Sequence, residues 1–441
     1  MRRPLVALAL ISLTCLCCAA AISNNNNNTN QLIGNVVESK AEPAAVYGPV
    51  VFVPGVGGSQ LDAKLNRTQR THPMCRSHTN WFNIWLNVNL LNPIALNCVS
   101  ENLRLEYNRT SKLTQNPEGV QIRTHAFGSL ESVEYLDRAA HLPGTTYFRT
   151  ISSALESALG LEANENMFGA GYDFRKAPNE LDEYLANLTK LIERTYLANN
   201  YKPVTLICHS MGCLNTVYLL NRKAQNWKDV YVKRLIALAA PWRGSFKALS
   251  SMLLGDNLGM PFINDHKLRP LQITFPSLMY LMPQQSTFDR ASGSKSQRVL
   301  VETASKAYKF DNLDELFRDS KMDDQFEMWL NVRNYTRDLQ APNVELWCLY
   351  GVGVATPTKV VFEGELLESR STQVKSGDGD GTVNLESSLA CADFAGGDGD
   401  RYGGRYQVHL RPFEAMSHVG MLRSKEVAAY IVEHIFKSER I

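Results

Sequence analysis

The stretch Val204-Thr205-Leu206-Ile207-Cys208-His209-Ser210-Met211-Gly212-Cys213-Leu214-Asn215 constrains this chain more than any other. Its first five residues are β-branched or apolar, the pattern of a short buried strand, and Leu214, Val217, Tyr218 and Leu219 continue with helical spacing. Strand and helix meet at His209-Ser210-Met211-Gly212. A serine in such a turn sits on a strained backbone that lifts its Oγ off the sheet, the layout of a nucleophile elbow, G-x-S-x-G. Cys208 replaces the first glycine. Cysteine is small, so the turn is strained further but not excluded. A serine that merely caps a helix after a strand gives a similar string. The choice rests on whether an acid and a histidine follow in the right order.

The rest of the chain supplies that order. Helical periodicity over Tyr147–Leu159 and Asn179–Asn199 predicts two helices, the second leading into the elbow strand as a βαβ unit with a parallel sheet. Further strands are predicted at Pro49–Val53, Leu235–Ala239, Val344–Tyr350 and Gln407–Leu410, with a closing helix near Lys425–Phe436. Asp380 and His418 each follow a predicted core strand, so Ser210, Asp380 and His418 gather at one sheet edge as nucleophile, acid and base. Asp380 is chosen over Asp378 because it heads the turn Asp380-Gly381-Thr382.

Pro54-Gly55-Val56-Gly57-Gly58 ends the first strand, and a glycine-rich turn there can aim backbone N–H groups at an anion. No phosphate-binding glycine motif can be completed from these residues, which leaves an oxyanion. Two Gly/Asp-rich runs suggest calcium, but an EF-hand frame from Asp378 puts Leu389 at the glutamate position and one from Asp398 puts His409 there. His72, Cys75 and His78 lack the further ligands of a zinc site. No metal or cofactor is expected.

With 46 basic and 44 acidic residues the formal charge is +2, which carries no nucleic-acid footprint. Residues 1–21 read as a signal peptide, with Arg2 and Arg3, an apolar Leu5–Cys18 core too short to span a bilayer, and Ala19-Ala20-Ala21 as cleavage site. Residues 22–46 read as a disordered Asn-rich linker, and 47–441 as the catalytic domain. Six of nine cysteines lie beyond the leader, in an oxidising compartment where disulfides are expected. Sequons at Asn27, Asn66, Asn108, Asn187 and Asn334 agree with secretory passage.

Two insertions stand out. Between Cys75 and Cys98, Trp81, Phe82 and Trp85 lie among asparagines, an amphipathic composition suited to a lipid headgroup layer; a segment docked on the domain by its aromatic face is the other reading. Residues 72–105 are taken as a membrane-binding subdomain and 245–343 as a cap, whose 245–283 part is a mobile-lid candidate or a fixed helical cap.

From about Pro49 to Phe436 the chain resembles the lecithin:cholesterol acyltransferase and lysosomal phospholipase A2 family. The resemblance rests on P-V-V-F-V-P-G, I-W-L-N, Y-D-F-R at Tyr172–Arg175, H-S-M-G, Q-N-W-K-D at Gln225–Asp229, A-P-W-R-G, G-D-N at Gly255–Asn257, C-L-Y-G-V-G at Cys348–Gly353 and G-D-G-D-G-T-V-N. It implies an α/β-hydrolase with a mostly parallel sheet, the triad Ser210–Asp380–His418, and oxyanion amides on Val56 and Met211. It also implies disulfides Cys75–Cys98 and Cys348–Cys391, with Cys208 and Cys213 left reduced and buried. In the resemblance the loop closed by Cys75–Cys98 touches the membrane and Trp85 touches substrate. One departure is Val56, where the lysosomal branch carries an aspartate and the plasma branch a cysteine. The expected activity is transfer of a fatty acyl group from a phosphatidylcholine-like lipid at a membrane or lipoprotein surface. Water, a sterol or a ceramide-like alcohol would accept it. The enzyme is expected to be a monomer, lysosomal or extracellular. A catalytically silent lipid-binding protein and a soluble carboxylesterase are the competing expectations.

Overall fold

A computed structural model describes residues 47–440 apart from 71, 91, 258–264, 287–297, 367–371 and 396–405. The expected signal peptide, Asn-rich linker and Asn27 sequon lie outside the described residues.

Six strands form the central sheet: β1 (Val50–Val53), β2 (Met167–Gly169), β3 (Val204–His209), β4 (Val232–Leu238), β5 (Glu345–Val352) and β6 (Val408–Glu414). Their order is β6-β5-β4-β3-β1-β2, and every neighbouring pair is parallel. Near-continuous apolar runs follow from this, since a parallel sheet is covered on both faces. Side chains alternate across it. Val51, Val53, Leu206 and Cys208 face one apolar layer, and Val50, Phe52, Ile207 and Ile236 the other.

Helices close both faces. Helix α1 (Arg149–Leu159) buries Ile151, Leu155 and Leu159 with Val427 and Ile431 of the C-terminal helix in the second layer. Helices α2 (Asp182–Ala198) and α3 (Met211–Asn221) bury Leu185, Leu188, Ile192, Leu214 and Val217 in the first. Each fully buried aliphatic side chain contributes roughly 1.5–3 kcal/mol of transfer free energy, so the two layers dominate stability. The helix predicted through Phe436 is α-helical over Lys425–Tyr430 and continues as a π-helical turn over Ile431–Phe436.

Outside the sheet, Phe82–Trp85 is a strand, paired antiparallel with Leu61–Leu65 in a three-stranded sheet completed by Val120–Thr124. The helix of that region is Pro93–Leu103, which carries Cys98. The cap is mostly helical, over Phe246–Leu254, Asp265–Gln272, Pro276–Tyr280, Leu313–Asp319 and Asp323–Arg337. Gly244 holds the entry to it: its φ is +77°, and a Cβ there would stand 2.1 Å from the Met282 carbonyl oxygen. Among the described residues no helix is long and apolar enough to cross a membrane.

Candidate active site

Ser210 joins the end of β3 to the start of α3 with φ +53° and ψ −130°, a conformation that L-residues rarely adopt. Hydrogen bonds hold it there from both sides: Ser210 N donates to the Leu238 carbonyl at 2.9 Å, and Cys213 N to the Ser210 carbonyl at 3.0 Å. Gly212 is required, because a Cβ would meet the Pro54 carbonyl oxygen at 2.3 Å. Close approach of α3 to the end of β1 is therefore built into the S-M-G half of the elbow.

His418 and Asp380 complete a buried hydrogen-bonded line. His418 Nε2 lies 3.0 Å from Ser210 Oγ, and His418 Nδ1 lies 2.8 Å from Asp380 Oδ2. A carboxylate only accepts, so Nδ1 carries the proton, and Nε2 is left to accept from the serine hydroxyl. The other carboxylate oxygen, Asp380 Oδ1, accepts from the amides of Thr382 at 2.9 Å and Val383 at 2.7 Å. His418 N also donates to the Asp380 carbonyl at 2.8 Å, fixing the two loops against each other. Asp378 is employed elsewhere. Its Oδ1 accepts from Gly353 N and Gly379 N, both at 2.7 Å, and so shapes the turn that presents Asp380.

The turn after β1 lies against the nucleophile. Gly58 N donates to the Gly55 carbonyl at 3.1 Å, Gly57 has φ +72°, and a Cβ on Gly55 would stand 2.7 Å from Ser210 Cβ. Val56 therefore sits beside the serine, half-buried. Met211 is the first residue of α3, where an amide has no intrahelical acceptor and the helix dipole favours negative charge.

Trp81, Phe82 and Trp85 do not form one surface. Trp81 is 37% exposed, with the Arg123 guanidinium 4.2 Å above its ring, and Phe82 is half-buried. Trp85 is only 7% exposed, and its indole N–H donates to the Gly57 carbonyl at 2.9 Å while its ring packs on Phe174. Trp85 is buried beside an irregularity in the strand pairing, where Leu61 stands opposite Trp85 and Ala63 opposite Phe82. On the same loop Met74 is 64% exposed.

Cys75–Cys98 and Cys348–Cys391 are disulfides, which takes Cys75 out of any zinc set. Cys208 and Cys213 are also joined, against the expectation of two reduced thiols. The elbow reverses the chain between them and brings their Cα atoms to 4.9 Å, within disulfide reach. Asn66, Asn108 and Asn334 are exposed, and Asn187 on α2 is half-buried.

Sequence reasoning passed over two residues beside the site. Tyr147 Oη accepts from Gly55 N at 3.0 Å and lies 2.6 Å from His209 Nδ1; His209 Nε2 lies 3.2 Å from the His418 carbonyl oxygen. Burial, with the adjacent His418, holds His209 well below the usual imidazole range, and burial pushes the Tyr147 phenol up. Both are neutral. His209 could have been suspected as the neighbour of Ser210, whereas nothing in the spacing of Tyr147 points to the site.

Known proteins match most of the chain's length. The family model for lecithin:cholesterol acyltransferase matches residues 81–425. The rat (Rattus norvegicus) lysosomal phospholipase A and acyltransferase is 36% identical over 89% of this chain and 91% of its own. The human (Homo sapiens) phosphatidylcholine-sterol acyltransferase is 35% identical over 90% of this chain and 86% of its own. Among solved structures, a chain of the Tle4–Tli4 complex superposes with a TM-score of 0.55 at 14% identity, covering 89% of this chain and 99% of that one, a likeness of fold alone. With its parallel sheet and helices on both faces, the chain is an α/β-hydrolase, and it belongs to the lecithin:cholesterol acyltransferase family.

Proposed function

We propose that this chain is a serine-dependent phospholipase A and acyltransferase. Ser210 is its nucleophile, His418 its base and Asp380 the acid that orients the base. The observation that carries the reading is the continuous buried line from Asp380 through His418 to Ser210 Oγ on a strained elbow. As Oγ attacks the ester carbonyl of a phosphatidylcholine-like lipid, His418 Nε2 takes its proton, and the imidazolium is stabilised by Asp380. The tetrahedral oxyanion accepts from the Val56 and Met211 amides. Collapse expels the lysolipid oxygen, which takes the proton from His418, and leaves an acyl ester on Ser210. Water, a sterol or a ceramide-like alcohol then gives its proton to His418 and attacks that ester, returning Ser210 to its hydroxyl form.

The exposed Trp81 and Met74 suit a lipid surface, phospholipid membrane or lipoprotein, on which the enzyme works as a monomer. Three disulfides fit passage through the secretory pathway to a lysosomal or extracellular destination.

A fluorophosphonate probe and phosphatidylcholine liposomes test the reading. Wild type should label and turn over lipid, and Ser210→Ala should lose labelling and at least about a thousandfold in turnover. Turnover above about a hundredth of wild type in that variant would refute the nucleophile. Labelling without lipid turnover would identify a soluble esterase instead, and an unlabelled wild type a silent lipid-binding protein.

A further inference from the structure

We infer that Tyr147 and His209 are positioning residues that tie the oxyanion turn, the nucleophile strand and the base loop into one unit. This rests on the catalytic roles proposed above for Ser210, His418 and the Val56 amide.

The hydrogen-bond directions allow one arrangement only. Gly55 N has a single proton, so Tyr147 Oη accepts it at 3.0 Å. The tyrosine's own proton is then free for His209 Nδ1 at 2.6 Å. With Nδ1 accepting, the neutral imidazole carries its proton on Nε2, and that proton meets the His418 carbonyl oxygen, which only accepts, at 3.2 Å. The line runs Gly55 to Tyr147 to His209 to His418, with each donor used once. Its ends are telling. Gly55 immediately precedes Val56, whose amide serves the oxyanion, and the far end is the backbone of the base itself. His209 in turn is bonded through the chain to Ser210.

Geometry rather than contact defines the role. Tyr147 is 3% and His209 2% exposed, so neither reaches the lipid. Gly58 leaves space for the tyrosine ring under the turn, since a Cβ there would stand 2.5 Å from it. The rings of Tyr147 and His209 meet edge to face at 5.4 Å, and those of His209 and His418 are 4.7 Å apart. Removing only the phenolic oxygen keeps this packing. It strands Gly55 N–H and His209 Nδ1 inside the protein, and the oxyanion turn loses its tether.

Tyr147→Phe separates positioning from mere packing. The readouts are the rate and the end-point of fluorophosphonate labelling, and kcat and KM on phosphatidylcholine liposomes. A full end-point is expected, with labelling rate and kcat each down about 10–100-fold and KM within about twofold, because removing one oxyanion donor costs about 100–1,000-fold and a donor displaced but still present costs less. His209→Asn keeps an acceptor for Tyr147 but cannot reach the His418 carbonyl, and should also lower kcat at full end-point. The double variant should be no slower than the slower single one, since the line is already broken. Wild-type labelling rates in Tyr147→Phe would overturn the inference. So would an end-point that falls in step with the rate, which reports lost folded protein. Loss of labelling confined to Ser210→Ala, with both positioning variants at wild-type rate, would reject this inference and leave the nucleophile standing. Persistence of labelling in Ser210→Ala would instead reject the nucleophile.

Discussion

Replacing Arg175 by methionine should destabilise the protein by about 3 kcal/mol near neutral pH, and by less in acid. Arg175 is fully buried. Its Nε donates to Asp173 Oδ1 at 2.8 Å, and its Nη2 to Asp173 Oδ2 at 2.6 Å and to Asn116 Oδ1 at 2.9 Å. Nη1 donates to the Leu103 carbonyl at 2.9 Å, at the end of the helix that carries Cys98, and Ser277 N of the cap donates to the Arg175 carbonyl at 3.2 Å. The guanidinium thus ties Asp173 to Asn116 and to the end of the helix that carries Cys98, while the cap is held by the Arg175 backbone carbonyl. Breaking a buried pair costs roughly 3–5 kcal/mol, because one charge is left uncompensated. Asp173 keeps 24% of its side chain open to water, which places the cost at the low end. The sign of the pH dependence follows from Asp173. Burial alone would raise its pKa, but the Arg175 charge and hydrogen bonds outweigh burial and hold it below the usual carboxylate range. Its contribution is therefore complete above the unfolded value, about 3.9, and is lost as pH falls through the folded one. Without the guanidinium, burial is opposed only by the Lys176 charge and the amide of residue 175, so Asp173 in the variant takes up a proton more readily and its penalty shrinks as pH falls. Urea unfolding followed by tryptophan fluorescence at about pH 7 and about pH 5 measures both quantities. A loss below about 1 kcal/mol, or one equal at the two pH values, would refute the reasoning, and Asp173→Asn added to Arg175→Met should restore most of the neutral-pH loss.

Changing Trp81 and Phe82 together to serine should lower liposome hydrolysis by at least about tenfold, from roughly 2 kcal/mol of lost interfacial burial, and leave a short soluble ester untouched. Equal loss on both substrates would point to a packed structural strand. Val56→Asp would place a carboxylate beside the oxyanion; taking a separation of roughly 5 Å and an effective dielectric of 20, the repulsion is about 3 kcal/mol, on the order of a hundredfold in rate while ionised. Protonation relieves it, so a pH series in constant salt should show the optimum moving toward acid, and an unmoved optimum would sink the idea.

Much of this is legible in the sequence because the constraints are local. The apolar runs at Val50–Val53 and Val204–Cys208 could only be buried strands, and the elbow left one place for the serine. The chain order Ser210, Asp380, His418 is that of the α/β-hydrolase fold, whose loops bring the three together at one sheet edge. Contacts made across the fold were not legible. Tyr147 reaches His209 over 62 positions and Gly55 over 92, and no periodicity records such a meeting. Trp85 was grouped with Trp81 by composition, but its burial arises at an irregularity in the pairing with Leu61–Leu65 that composition does not record. The pairing of Cys208 with Cys213 depends on a backbone reversal that spacing alone does not measure.

That pairing bears on how position 208 dispenses with glycine. Ser210 is held at φ +53°, and holding an L-residue in such a region costs of order 1–3 kcal/mol, to be offset by the surroundings. Small neighbours lower the cost at a nucleophile elbow, and here a side chain stands two residues before the serine. The offset comes from links across the turn. Gly212 lets α3 seat on the Pro54 carbonyl, and Ser210 N is held by the Leu238 carbonyl. The Cys208–Cys213 bond closes a loop of sequence separation 5 around the nucleophile. On the chain-entropy account so short a loop contributes roughly 2 kcal/mol, the same size as the strain it spans. The cysteine that fills the glycine position therefore also supplies one end of the link that holds the turn, so substitution and constraint arise from the same residue.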